Sequence, residues 1–120
     1  MAWQFNNTQA VFIQIADRLR CDIVTGKYPP GTQIPTVRQL AFEVSVNPNT
    51  MQRALSLFEE EQLLLSRGTV GRFVTSETEI LDNAKEKIRR STVERLLAEA
   101  QALSISPQEL IDYIKEVYHD

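Results

Sequence analysis

The most constraining feature of this sequence is a pair of helix-start signals that lie only a few residues apart. Thr36 followed by Gln39 forms a capping box, in which the threonine hydroxyl and the glutamine side chain each satisfy a free backbone amide of the first turn. Asn47 followed by Pro48 is a second start signal, because asparagine is favoured at the N-cap and proline at the first helical position. The first helix is predicted over about 36–45, which leaves a very short joint. Two short helices joined so tightly cross at a steep angle, as in a helix-turn-helix.

The segments on either side extend this motif. The second helix is predicted over 47–61, and strands are predicted over 63–66 and 72–75, with Gly68 and Gly71 in the loop between them. A hairpin directly after a helix-turn-helix is a wing. An amphipathic helix is predicted before the motif, because apolar residues recur every fourth position until Gly26. These apolar residues are Val11, Ile15, Leu19 and Ile23.

The rest of the chain is predicted to be helical. A long helix is expected over about 77–104, although Ser91 and Glu94 also fit a capping box and leave a break at 91 open. A last helix is expected over about 107–118. The predicted fold is therefore mainly α with a small β-hairpin, of the α+β class: a winged helix-turn-helix domain in residues 1–75, followed by two C-terminal helices in residues 76–120.

Composition excludes several classes of protein. Apolar residues make up 42% and charged residues 24%, which is typical of a globular chain. One cysteine and one histidine exclude a disulfide framework and a Cys/His zinc site. We expect no catalytic residues, no enzyme activity, no metal and no cofactor. The sequence shows neither a transmembrane stretch nor a signal peptide, so we expect no membrane partner and a cytoplasmic location.

The net charge is −3, which by itself argues against nucleic-acid binding. The charge is unevenly distributed, however. Residues 1–75 hold seven Lys/Arg and six acids (net +1), and residues 76–120 hold six Lys/Arg and ten acids (net −4). The position of the arginines in the first part therefore matters more than the total charge.

The start of the 47–61 helix carries side chains suited to base recognition. Asn49 and Gln52 can form paired hydrogen bonds with adenine, and Arg53 can do so with guanine. Thr50 suits a phosphate or a base, and the free amides of the helix start favour a phosphate. The alternative is that these residues only cap the helix and form its solvated face.

Two further groups of residues are candidates for DNA contact. Arg38 lies in the opening turn of the first motif helix, where a phosphate or a guanine is within reach, with Thr36 beside it. The alternative is an exposed arginine paired with Glu43 or another acid. In the wing, Arg67 and Arg72 flank the glycines and suit a narrow minor groove. The alternative there is a tight hairpin that needs glycine for its geometry alone.

The C-terminal part carries an apolar stripe at helical spacing. Two helices of this length cannot form an independent core, so the stripe must pack on the winged domain, on a second copy, or on both. We favour a homodimer, and the alternative is a monomer whose last helices cover the winged domain. The predicted dimerisation residues are Leu81, Ala84, Ile88, Leu96, Ala100, Leu103, Leu110 and Ile114.

The order of these parts resembles the winged helix-turn-helix domain of the GntR superfamily of bacterial transcription regulators over residues 9–75. The family pattern is roughly L-P-S-x-R-x-L-A, then V-x-x-x-T-V, then a G-x-G-x-x-V wing. The matching residues are Gln14-Ile15-Ala16, Gly26-Lys27-Tyr28, Pro30-Gly31, Ile34-Pro35-Thr36-Val37-Arg38-Gln39-Leu40-Ala41, Val46-Asn47, Asn49-Thr50-Met51, Ala54-Leu55, Arg67-Gly68 and Gly71-Arg72-Phe73-Val74.

The short C-terminal part resembles the YtrA-type branch, whose members carry two helices there and dimerise through them. The branch often controls operons for membrane transporters. This chain departs from the family at Pro48, where arginine is common, and at Gln62, where glycine is common. The resemblance implies DNA contacts at Thr36, Arg38, Asn47, Asn49, Thr50, Gln52, Arg53, Arg67 and Gly68.

We therefore expect a sequence-specific regulator that binds double-stranded DNA, with repression as its expected action. A homodimer would bind an inverted-repeat operator. A small-molecule effector is left open as a further partner. The alternative is a winged-helix protein-interaction module that does not bind DNA.

Overall fold

The computed structural model describes Trp3, Phe5 and residues 10–119. Within these residues it has five helices and one two-stranded antiparallel sheet, which confirms the predicted mainly helical α+β class. The elements are α1 (Val11–Val24), α2 (Val37–Val44), α3 (Pro48–Glu60), β1 (Leu64–Arg67), β2 (Gly71–Val74), α4 (Thr78–Ala102) and α5 (Pro107–Val117).

Both predicted start signals of the helix-turn-helix are confirmed. The Thr36 hydroxyl accepts a hydrogen bond from the Gln39 amide at 3.1 Å, and the Gln39 side chain accepts one from the Thr36 amide at 2.8 Å. Asn47 caps α3 by accepting a hydrogen bond from the Asn49 amide at 2.7 Å. Between the helices, Ser45 adopts a left-handed conformation (φ 58°) that ends α2 abruptly. Local sequence chemistry thus sets where each motif helix begins.

The core of the winged domain forms where α1 and α2 pack on α3. Each helix contributes an apolar stripe at three- and four-residue spacing, as expected for amphipathic helices around one core. The stripe of α3 is the most deeply buried, since none of its four side chains exceeds 1% exposure. The buried side chains of the three helices are Ile15, Ala16, Leu19, Ile23, Leu40, Ala41, Val44, Met51, Ala54, Leu55 and Phe58.

The first compact unit extends further than the predicted domain boundary at residue 75. The chain divides into units Met1–Lys85 and Glu86–Asp120. The first turns of α4 belong to the first unit because Leu81 is buried in its core, and Ile80 and Ala84 pack against that core. The functional roles assigned to the two parts stay predictions.

The wing is a hairpin in which Leu64 pairs with Val74 and Arg67 pairs with Gly71. The strands lie one residue closer to the tip than predicted, so the tip is only the three residues 68–70. Leu64 and Val74 face the core, each 1% exposed. A third extended segment, residues 31–34, pairs with β2 on its other side through a bridge between Gln33 and Phe73. The sequence did not predict this pairing.

The C-terminal unit contains most of α4 and all of α5. Helix α4 continues through Ser91, so the break left open at that position does not occur. Ser106 and Glu109 form the predicted capping box of α5, and the Ser106 hydrogen bonds lower the pKa of the exposed Glu109 carboxyl. Ala100 is 5% exposed. Within the described part of the chain, no residue of α5 is buried.

The entry into the wing requires an unusual backbone conformation. Gln62 has φ 64°, in the left-handed region that glycine adopts readily and other residues adopt at a cost. Glycine is common at this position in the family that the sequence resembles. The departure therefore leaves the turn in place and adds backbone strain.

Replacing Gln62 by glycine is expected to stabilise the protein. Relief of the left-handed conformation is worth roughly 1–2 kcal/mol, and the greater freedom of glycine in the unfolded chain offsets about 0.4–1 kcal/mol of that gain. The free energy of unfolding should rise by about 0.5–1 kcal/mol, measured by urea denaturation at fixed protein concentration. Gln62→Ala is the matched control, because alanine keeps the strain. An equal gain in both variants would contradict this explanation.

Candidate nucleic-acid interface

The amino-terminal half of α3 presents polar side chains to solvent. Met51, Ala54 and Leu55 are buried, so helical periodicity forces Asn49, Gln52 and Arg53 onto other faces, and all three are exposed. Ser56 continues this face, its hydroxyl bonded to the Gln52 carbonyl at 2.9 Å. The exposed face thus carries the amide and guanidinium groups that hydrogen-bond to base edges.

The Arg53 guanidinium is held by an aromatic ring of α1. Its Cζ lies 3.9 Å from the centroid of the Phe12 ring, within the range of a cation–π interaction. Stacking uses the face of the guanidinium and leaves its N–H donors at the edge. Phe12 therefore limits the orientations of Arg53 without neutralising its charge.

Two of the predicted contact residues at the start of α3, Asn47 and Thr50, are only partly available to a partner. The Asn47 side-chain oxygen caps the helix, which leaves its NH2 group as the donor for a further partner. Thr50 is half-buried. Pro48 occupies the first helical position and has no amide hydrogen, so fewer backbone donors are offered to an anion at this helix start.

The start of α2 carries Thr36 and Arg38, both exposed. The Thr36 oxygen accepts the capping hydrogen bond, and its hydroxyl hydrogen remains a donor. Among the described residues, no carboxylate lies within salt-bridge distance of Arg38. The alternative in which Arg38 pairs with Glu43 is therefore not observed.

The two arginines of the wing have different surroundings. The Arg67 Cζ lies 4.6 Å from the centroid of the Phe73 ring on β2, and neighbouring Gly68 is exposed with φ 52°. Arg72 points to the opposite face of the hairpin, where its Nε donates to the Glu59 carboxylate of α3. Its side chain is only 18% exposed. In this structure Arg72 therefore ties the wing to α3, and its contact with DNA stays a prediction.

Ion pairs in the first unit separate its basic side chains into two groups. Arg20 binds Asp17 and Glu61, and the hydrogen bond to Glu61 raises the pKa of its guanidinium. Lys27 lies 3.5 Å from Asp22. With Arg72 and Glu59, these pairs occupy four of the six acids in residues 1–75, counted within the described part. Of the described basic residues in 1–75, those left without an acid are Arg18, Arg38, Arg53 and Arg67.

The sequence pattern gave no role to two side chains near this surface. Gln33 reaches the wing tip, donating from Nε2 to the Val70 carbonyl at 2.6 Å. Phe42 on α2 is 87% exposed, which is unusual for a phenylalanine. Phe42 lies off the helix face that carries the buried Leu40 and Ala41, and this position in the helical repeat could have predicted its exposure. Both residues line an open depression of about 630 Å³ beside the start of α2.

The predicted dimerisation residues also fall into two groups. Leu81 and Ala100 are buried and Ala84 packs on the core of the first unit, so these three are used within the chain. Their part in a dimer surface stays a prediction. Ile88 and Leu110 are half-buried. The exposed members are Leu96 (42%), Leu103 (74%) and Ile114 (45%).

The described residues show no sign of a membrane span or of a metal site. None of the helices combines the length and the apolar character needed to cross a membrane. The same residues contain no group of three His, Cys, Asp or Glu side chains placed to hold a metal ion.

Comparison with known proteins identifies relatives over almost the whole chain. The transcriptional regulator YhcF of Bacillus subtilis is 32% identical over 112 residues, covering 93% of each chain. The transcriptional repressor YtrA of the same organism is 24% identical over 111 residues, covering 92% of this chain and 85% of that protein.

Solved structures give the same result. A GntR family transcriptional regulator from Listeria monocytogenes matches with a TM-score of 0.86 and 28% identity, covering 95% of this chain and all of the other. The DNA-binding domain of AraR in complex with operator ORX1 matches with a TM-score of 0.54 and 25% identity, covering 60% of this chain and 93% of that domain.

Residues 13–74, which contain most of α1, the helix-turn-helix and the wing, match the family described as bacterial regulatory proteins, gntR family. This segment is more than half of the chain, and the similarity to YhcF extends beyond it on both sides. The chain therefore belongs to the gntR family of transcriptional regulators, in its YtrA-type branch, and its winged helix-turn-helix is a DNA-binding domain of that family.

Proposed function

We propose that this protein is a homodimeric repressor that binds an inverted-repeat operator through α3, the start of α2 and the wing. The observation that carries the proposal is the separation of the basic side chains. Arg38, Arg53 and Arg67 have no carboxylate partner among the described residues, whereas Arg20, Lys27 and Arg72 are paired. Unpaired guanidinium groups are the ones available to phosphates and bases, because no internal ion pair has to break first.

The arrangement of groups follows the chemistry of duplex DNA. Helix α3 enters the major groove, where Asn49 and Gln52 match adenine and Arg53 matches guanine. Thr36 and Arg38 contact the backbone or an adjacent guanine. The wing tip approaches the minor groove with Arg67, where a narrow groove concentrates negative potential.

The C-terminal apolar face supports a second copy as the partner. Helix α5 has only 11 residues, which is too short to be stable without tertiary packing. Its stripe is nevertheless exposed, with Ile111 and Ile114 both at 45% and Val117 at 72%. Leu96 and Leu97 on α4 are each 42% exposed. A twofold pairing of these faces buries the stripe and brings two α3 helices to half-sites about one helical turn, roughly 34 Å, or a multiple of that, apart.

The biological role follows from the branch. YtrA is a transcriptional repressor, which supports repression, and the operator complex of AraR supports the mode of DNA contact. A transporter operon as the target is what the resemblance to the YtrA-type branch implies. A regulator acts where the chromosome lies, so we place the protein in the cytoplasm of a bacterium. A small-molecule effector is a further candidate partner. A protein-interaction module that does not bind DNA is the alternative, supported by the net charge of −3.

Replacing Arg38 or Arg53 by alanine is expected to weaken operator binding by about 1–3 kcal/mol if the side chain contacts a base. The operator is first selected from a random DNA pool with the full-length protein, and affinity is then measured by fluorescence anisotropy over a range of salt. A phosphate contact would instead lower the slope of log K against log salt by about 1.

Arg90→Ala is the matched control, because Arg90 is an exposed arginine of α4 paired with Glu86. It should leave affinity unchanged. Selection that enriches no sequence, together with no retention of random DNA at low salt, would favour the protein-interaction module. Wild-type affinity and salt slope in both arginine variants would refute the proposed interface.

A double replacement, Leu96→Asp with Ile114→Asp, is expected to prevent dimerisation. Both side chains are exposed in the single chain and lie outside the core of the winged domain, so that domain should still fold, but two carboxylates would be buried in the proposed interface. Sedimentation velocity should show a monomer, and operator affinity should fall at least about a hundredfold because the two half-sites are no longer bound together. Gln101→Asp, an exposed polar position on α4, is the control. A wild type that sediments as a monomer would contradict the dimer.

A further inference from the structure

We propose that Gln33 is a positioning residue that holds the wing tip at a fixed place relative to the start of α2. The inference rests on the proposed function, because it concerns how the wing is presented to DNA. Gln33 lies outside the helices and the hairpin, and the sequence pattern assigned it no role.

The side chain of Gln33 is fitted to the wing tip. Its Nε2 donates to the Val70 carbonyl at 2.6 Å. The same nitrogen lies 2.5 Å from the place where a Cβ on Gly71 would stand. A residue with a side chain at that position would displace the amide, so Gly71 provides the space through which Gln33 reaches the tip.

The backbone around Gln33 is part of the wing as well. The Ile34 amide donates to the Arg72 carbonyl at 3.0 Å, and the Val74 amide donates to the Thr32 carbonyl at 2.9 Å. Two residues after Ile34, Thr36 caps α2. One short extended segment is therefore bonded to the wing on one side and leads directly into the helix that carries Arg38.

The Gln33 hydrogen bond complements a second anchor at the base of the wing. Arg72 binds Glu59 and ties β2 to α3. The tip beyond it has only three residues, and within the described chain its other internal bond is the turn from the Val70 amide to the Arg67 carbonyl at 3.0 Å. Without Gln33 the tip keeps its turn but loses the bond that relates it to α2.

This constraint acts on binding through preorganisation. A loop that is already held in its bound position loses less conformational entropy on association than a free loop does. Gln33 thus sets the spacing between the Arg67 contact and the Arg38 contact before DNA arrives.

The test replaces Gln33 by methionine, which keeps the length of the side chain and removes its donor. Loss of one net hydrogen bond predicts operator affinity weakened roughly two- to tenfold. Because the lost bond tethers the Val70 carbonyl, the backbone order parameters of tip residues 68–70, measured by NMR relaxation, should fall in the free protein. The urea midpoint should stay within error, because the buried core is unchanged. Gln101→Met, on an exposed face of α4, is the control. It should leave operator affinity, the dynamics of the wing tip and the urea midpoint unchanged.

A double-mutant cycle separates positioning from direct contact. Gln33→Met should couple with Arg67→Ala, since an untethered tip no longer places Arg67, and should be additive with Arg38→Ala. Weaker binding with unchanged order parameters at residues 68–70 would show that Gln33 contacts DNA itself and would overturn the positioning role. Wild-type affinity in Gln33→Met would overturn it as well.

The NMR relaxation measurement needs no DNA, so the tether is tested even if the proposed function fails. Wild-type protein that binds no DNA, with lower order parameters at residues 68–70 in Gln33→Met, would refute the regulator while leaving the tether established. Unchanged order parameters at the tip would refute the tether whatever the DNA result.

Discussion

The burial of one face of α3 is the constraint on which the rest of the structure depends. Met51, Ala54 and Phe58 are completely buried against α1 and α2, and Leu55 is 1% exposed. A helix fixed on one side by four close-packed side chains cannot rotate about its axis without opening a cavity. Its opposite face is therefore defined as firmly as its core. The exposure of Asn49 and Gln52 is a consequence of hydrophobic packing.

Ion pairs within the winged domain then decide which of its basic side chains are available to bind an anionic partner. An overall charge of −3 suggests a poor ligand for DNA. Four of the six acids in residues 1–75, however, are engaged by Arg20, Lys27 and Arg72, and none of these four pairs with Arg38, Arg53 or Arg67. Aromatic rings orient Arg53 and Arg67 without cancelling their charge. The pairing of each basic side chain therefore matters more for DNA binding than the net charge. At ordinary salt, screening weakens the interaction between exposed charges that lie more than about 8–10 Å apart.

The sequence predicted the parts of the fold whose signals are local. Thr36 with Gln39, Asn47 with Pro48, and Ser106 with Glu109 mark helix starts within four residues, and each was found where predicted. The glycine-rich tip of the hairpin was predicted for the same reason, although the strands begin and end one residue away. The exposure of the α3 side chains followed from the helical period of its apolar residues.

Features that join distant parts of the chain could not be predicted in this way. The Arg72–Glu59 pair spans 13 residues and the Gln33–Val70 bond spans 37, and no periodic pattern encodes either partner. The third extended segment has one bridge and three prolines nearby, Pro29, Pro30 and Pro35, and prolines are a turn signal by composition. Leu81 was predicted to lie in the dimer interface, whereas it is buried in the core of the first unit. The spacing of apolar residues on a helix does not show which surface covers them.

The separation of recognition from folding has a consequence for how such a protein diversifies. Asn49 and Gln52 are exposed, and the side-chain bond of Gln52 to Ser56 is long, at 3.4 Å. Exchanging them should scarcely alter the native state, as for most surface positions away from buried features. Neighbouring Asn47 and Arg72 carry structural duties and lack that freedom. Descendants of one ancestral gene can therefore acquire new target sequences through a few exposed positions while inheriting the same scaffold.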